Sequence, residues 1–143
     1  MTRDYVYRHQ VTLEETNLVG NVYFAHYVRW QGHCRERFLA DNAPGVLAAL
    51  STGFAMVTTA CSCEFLDELT ANDRVELRMT LRALDFSRIG MDFDYFRVGV
   101  DLPRLVARGN QTVACMARGP AGLTPAPVPD ELRSALSPYL SFM

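Results

Sequence analysis

One stretch of helical periodicity, set in a chain otherwise patterned for strands, restricts the fold most. In residues 24–41, FAHYVRWQGHCRERFLAD, the positions Phe24, Tyr27, Val28, Gln31, Cys34, Phe38 and Leu39 recur at intervals of three and four. Such spacing lays them along one face of a helix. Gln31 is the polar member of that face. Gly32 sits mid-helix, where glycine costs up to about 1 kcal/mol relative to alanine, so it predicts a close approach of the helix to a sheet.

Strand patterns occupy the rest. YVYRHQVTL (5–13) alternates Tyr5, Tyr7, His9 and Val11 against Val6, Arg8, Gln10 and Thr12 before the helix. After a loop carrying Pro44 and Gly45, four long β-rich segments follow at 53–66, 73–85, 87–100 and 104–118. In VELRMTLRAL, Val75, Leu77, Met79 and Leu81 share one face, which predicts an antiparallel sheet covered on one side. A proline-rich tail leads to a short amphipathic segment at 130–142, expected as a surface crossing and a small helix or turn. The order is strand, long helix, four strands. It predicts an α+β domain in which a curved five-stranded antiparallel sheet wraps a central helix. With 143 residues, 49% of them hydrophobic, a single domain over 1–143 is expected.

Composition removes several classes of function. All fourteen basic residues are Arg and the formal net charge is −2, so lysine Schiff-base chemistry is excluded and neither nucleic acid nor an anionic membrane is an expected partner. The N-terminus MTRDYVYRHQVTLEET holds no apolar run of signal-peptide type, and no stretch approaches the roughly 20 apolar residues of a membrane helix; a cytoplasmic location is expected. Cys34, Cys61, Cys63 and Cys115 form no C-x-x-C pair and read as reduced, buried thiols. His26 and His33 have no familiar ligand spacing with them, so neither metal nor cofactor is expected. No serine has glycine at both minus two and plus two, which excludes a G-x-S-x-G nucleophile elbow.

Chemistry is expected where the first strand gives way to the helix, at ETNLVGNVYF (15–24). The longer stretch VTLEETNLVGNVYFAHYVRWQGHCRERFL (11–39) resembles the N-terminal block of hotdog-fold acyl thioesterases of the four-hydroxybenzoyl-CoA and acyl-carrier type. In that block an Asp usually stands where this chain has Asn17. Asn17, together with Tyr27 and Arg35 on the following helix, resembles the thioesterases of enediyne polyketide biosynthesis over essentially the whole chain. The resemblance implies the hotdog fold. It also implies hydrolysis of a β-ketoacyl polyene from the phosphopantetheine arm of a carrier domain of an iterative synthase, the released β-keto acid decarboxylating to a methyl ketone. Asn17, Arg35 and Tyr27 are the implied catalytic residues. Phe24, Gln31, Thr59 and Glu64 are the expected substrate-binding residues, Thr59 as a supporting hydrogen-bond partner.

A neutral amide is neither a nucleophile nor a base, so Asn17 is expected to hold water or polarise the thioester. Arg35 shares a stripe with Gln31, Val28 and Phe24; a charge on such a face needs a reason, and stabilising an oxyanion is one. Duller readings stand beside these: Asn17 suits an Asx turn, Tyr27 suits a core, and Arg35 suits solvent. Glu64 is the nearest carboxylate candidate, and its reaching the pocket would weaken the base-free account. Alternatives are a dehydratase, which would need a His and acid pair, a generic acyl-CoA thioesterase, and a non-catalytic acyl or polyene carrier. Phe54, Met56, Phe65, Met79 and Phe93 are expected to line a tunnel beside Tyr27. A dimer joined edge to edge, doubled to a tetramer, is expected from the open sheet edge and the resemblance.

Overall fold

The structure, a computed structural model, describes residues 3–141. Strand β1 (Tyr5–Gln10) is followed by a 3-10 turn at Leu13–Glu15, helix α1 (Ala25–Asn42) and a short helix α2 (Pro44–Ala49). Then come β2 (Phe54–Phe65), β3 (Arg74–Leu84), β4 (Arg88–Val98), β5 (Arg104–Gly119) and β6 (Gly122–Pro125). Helix α3 (Asp130–Leu136) and a 3-10 turn at Ser137–Tyr139 close the described chain. Residue 142, the last of the expected tail segment, lies outside it.

All pairings between named strands are antiparallel, in the order β1-β3-β4-β5-β2, with β6 beside β5. The five anticipated strands are present, and the short β6 makes six. Pairing of β4 with β5 ends at Ala114, and β6 pairs with the stretch of β5 beyond it, Met116–Gly119. Register shifts at Thr58/Ala60, Leu81/Ala83 and Tyr95/Phe96 break the ladders, and such bulges bend a sheet. The curved sheet holds α1 against its inner face.

Burial follows the alternation read from β3: Val75, Leu77, Met79 and Leu81 are each at most 1% exposed. Tyr27, Trp30, Gln31, Cys34, Phe38 and Leu39 of α1 meet that layer. Tyr95 of β4 donates its hydroxyl to the Tyr27 carbonyl at 2.6 Å, which fixes the helix along its axis. Four expectations need correction. The Pro44–Gly45 stretch opens α2, because proline suits the first turn of a helix, where its missing N–H has no partner to lose. Phe24 is 60% exposed, since it precedes the first turn of α1 and lies outside the buried stripe. Cys61 is exposed and Cys63 half-buried; only Cys34 and Cys115 are buried.

The fourth correction concerns Gly32. A Cβ there would meet nothing, so it marks no close approach. The close approach is at Gly109 of β5, where a Cβ would collide with the Gln31 amide nitrogen and lie 2.8 Å from the Ser62 carbonyl oxygen. Gly109→Ala should therefore displace Gln31 and destabilise the protein by about 1–3 kcal/mol, read as a lower denaturation midpoint, whereas Gly32→Ala should be neutral or slightly stabilising.

Candidate active site

Three elements converge at the start of α1. The capping box of the Leu13–Glu15 turn folds Glu15 back onto the chain: its carboxylate accepts from the Thr12 N–H at 2.8 Å, from Trp30 Nε1 at 2.9 Å and from His9 Nε2 at 2.9 Å. A carboxylate can only accept, so His9 carries its proton on Nε2. Burial alone would push the Glu15 carboxyl upward. The hydrogen bonds from Thr12, His9 and Trp30 outweigh it and hold the group at about 2. Glu15 thus moors the segment that carries Asn17.

Asn17 occupies an exposed turn in which Gly20, at φ +98°, donates to the Asn17 carbonyl at 2.9 Å. Its backbone N–H donates to the Asn21 carbonyl at 2.7 Å and its Nδ2 to Asn21 Oδ1 at 3.0 Å. Asn21 Nδ2 in turn reaches Glu68 Oε1 at 3.4 Å. The side-chain amides thus run from Asn17 through Asn21 to Glu68, and Asn17 Oδ1 is left to accept from a water or hydroxyl.

Beside this turn lies a groove of about 350 Å³ lined by Asn21, Val22, Phe24, Tyr27 and the Phe65–Glu68 segment. Tyr27 forms its floor, with its ring edge-on to Phe65 at 4.9 Å. Burial pushes its phenol up to about 12 against a backbone hydrogen bond at Leu69, so it remains a neutral donor. No side chain caps the N-terminus of α1, and its N-cap residue Phe24 lines the groove. Met79 and Phe93, expected in a tunnel, are fully buried in the core instead.

Arg35 lies elsewhere, about three turns further along α1 than Phe24, roughly 16 Å at 1.5 Å per residue. Within the chain it makes no hydrogen bond or ion pair with Asn17. Its Nη1 donates to Gln111 Oε1 at 2.8 Å and to Thr58 Oγ1 at 3.0 Å, beside a cavity of about 130 Å³ that Arg35 lines together with Gly32, Glu36, Leu39, Leu47, Leu50 and Met56. Burial pulls its guanidinium below the ordinary value, yet Arg remains a cation. Among the described residues no carboxylate comes within ion-pair distance of it. Gln31, fully buried, donates to the Ser62 carbonyl at 3.0 Å rather than opening onto the groove.

Two expected residues point away from this face. The bulge at Thr58/Ala60 makes Thr58 the partner of Arg35, while Thr59 bonds only to the Thr112 carbonyl at 3.3 Å. The same bulge inverts the alternation of β2: Met56 and Thr58 face α1 before it, Phe65 after it. Glu64 therefore turns to the outer face, in register with Arg108. The carboxylates that do line the groove are Asp67, paired to Arg104 at 2.6 Å, and Glu68. Both sit in the loop after β2, which carries no periodicity to reveal their direction.

The sequence pattern of the thioesterase-like superfamily matches residues 11–136. A dynemicin thioesterase, whose crystal structures describe induced fit and allostery on polyene binding, is 60% identical over 99% of this chain and 100% of its own, with a TM-score of 0.96. Two other solved proteins share the fold at lower identity. A 1,4-dihydroxy-2-naphthoyl-CoA thioesterase from Synechocystis is 22% identical (94% and 96% covered, TM-score 0.84). An Asp-to-Asn variant of a 4-hydroxybenzoyl-CoA thioesterase in complex with 4-hydroxybenzoyl-CoA is 14% identical (94% and 99% covered, TM-score 0.83). No curated protein matches the chain. Among the described residues no helix is long and apolar enough to cross a membrane.

The Glu15 mooring has a pH signature. Its folded pKa lies below the ordinary 4.5, so the unfolded state binds the proton more readily; the stabilisation is full above about 4.5 and is lost as pH falls toward about 2. Denaturant midpoints measured from pH 6 to 2 should fall more steeply for the native protein than for Glu15→Gln. That variant should already be about 1–3 kcal/mol less stable at pH 7.

Proposed function

Given that the chain belongs to the thioesterase-like superfamily and is a hotdog-fold thioesterase, we propose that its substrate is a β-ketoacyl polyene held as a thioester on an acyl carrier domain of an iterative enediyne polyketide synthase. The observation that carries this reading is the full-length 60% identity to a thioesterase that binds polyenes. A groove floored by Tyr27 and flanked by Phe24 and Phe65 supports it, since flat aromatic walls suit a conjugated chain.

Asn17 and Arg35 stand apart in one chain, and a second copy resolves the separation. Strand β2 is an open edge of the sheet, and α1 runs beside it in the opposite direction: Tyr27 against Phe65, Gln31 against Ser62, Arg35 against Thr58. Antiparallel pairing of two β2 edges about a two-fold axis near the middle of that run exchanges the ends. Arg35 of the second copy then stands at the Tyr27 groove, facing Asn17. The chain should accordingly be a dimer or dimer of dimers; a stable monomer at micromolar concentration by light scattering would refute the composite site.

In this arrangement Asn17 Oδ1 accepts from the attacking water. The water oxygen adds to the thioester carbonyl carbon, Arg35 neutralises the oxyanion, the C–S bond breaks, and the proton shed by water ends on the departing thiol. A β-keto group withdraws electrons from the reacting carbonyl, so a weak nucleophile suffices. The released β-keto acid loses carbon dioxide to give a methyl ketone.

Co-expression with an enediyne synthase tests the substrate: a methyl ketone polyene should appear, and its absence would reject the assignment. With a short β-ketoacyl thioester and a thiol trap, Arg35→Ala should lower turnover by about two to three powers of ten. Asn17→Asp should lower it as well, because a carboxylate there would cancel the facing cation. A faster Asp variant, or a native rate that rises through a carboxylate pKa and is abolished by Glu68→Gln, would establish a general base instead.

A further inference from the structure

We propose that Gln111 is a positioning residue for Arg35, holding the guanidinium in place while leaving its positive charge uncompensated. The inference rests on the reading of Arg35 as the group that meets the oxyanion. A partly desolvated Arg is ordinarily paired with Asp or Glu, and the chain has sixteen acidic residues to choose from. None forms an ion pair with Arg35 among the described residues. Its two acceptors are an amide and a hydroxyl, Gln111 at 2.8 Å and Thr58 at 3.0 Å.

The orientation of the amide is determined at both ends. A guanidinium only donates, so the Gln111 oxygen must face Arg35 and its nitrogen must face the other way. There the nitrogen donates to Gln31 Oε1 at 3.3 Å, and Gln31 Nε2 donates to the Ser62 carbonyl at 3.0 Å. Gln111 is 3% exposed and Gln31 fully buried, and no buried polar side-chain atom in the described structure lacks a partner. A glutamate at 111 would accept from Arg35 but could not donate to Gln31 when ionised, and it would cancel the cation. A methionine would keep the shape and the charge but would strand Gln31 Oε1 and one Arg35 donor. The amide alone serves both ends and adds no charge.

This separates an electrostatic role from a packing role. Purified Gln111→Glu, Gln111→Met and Thr58→Asp should be assayed on a short β-ketoacyl N-acetylcysteamine thioester with a thiol trap, alongside Arg35→Ala, and each melted. Gln111→Glu should lose about 30- to 100-fold in kcat with KM changed less than about 3-fold. Gln111→Met should melt lower than Gln111→Glu yet turn over faster. Thr58→Asp, at a position exposed in the single chain but on the β2 edge that pairs in the proposed dimer, brings a carboxylate to the same nitrogen; with its dimer confirmed by light scattering it should repeat the loss in kcat, and it decides the matter if Gln111→Glu does not fold. If kcat instead follows melting temperature, or Thr58→Asp is as active as the native protein, Gln111 is only a packing residue. Should Arg35→Ala itself retain native kcat, the oxyanion reading fails; should Arg35→Ala be impaired while the carboxylate variants are not, only the present inference fails.

Discussion

A helix enclosed by a curved sheet leaves no solvent for polar groups on its inner face. Every such group must find its partner in protein or the enclosure does not close. The seam from Arg35 through Gln111 and Gln31 to the Ser62 carbonyl meets that demand with neutral partners. It draws α1 against β5 closely enough that only glycine fits at 109. Trp30 and Glu15 meet the same demand at the residue before Gln31, where the indole N–H ties the helix to the segment before it. The placement of Asn17, the groove and the cation all descend from these two attachments.

The long elements were legible because each repeats its signal. Helix α1 and strand β3 carry several turns or several alternations of apolar residues, and no local competitor has the same period. Short elements gave no such repetition. Proline and glycine at 44 and 45 punctuate a loop as readily as they open α2, and β6 exists only because β5 extends past its pairing with β4.

The site was legible to the extent that it lies on α1. Tyr27 and Arg35 could be placed by counting turns. Glu64 could not be placed by counting, because counting by twos from Met56 gives the wrong face after one extra residue enters β2. Gln111 and Glu68 had no signature: their roles come from neighbours 76 and 47 positions away in the chain. Contacts of that span depend on the sheet closing and are invisible to any local pattern.

The bulge in β2 has a consequence for how such a chain can change over generations. A regular strand offers a helix one phase of side chains, so any drift in that phase alters its whole length. Here the strand is split into two segments of opposite phase, even positions facing α1 on one side of Thr59 and odd positions on the other. The residues around the cation and those around the groove therefore belong to separate sets. Selection can reshape the wall of the groove without disturbing the neighbours of the charge, so the two can change independently.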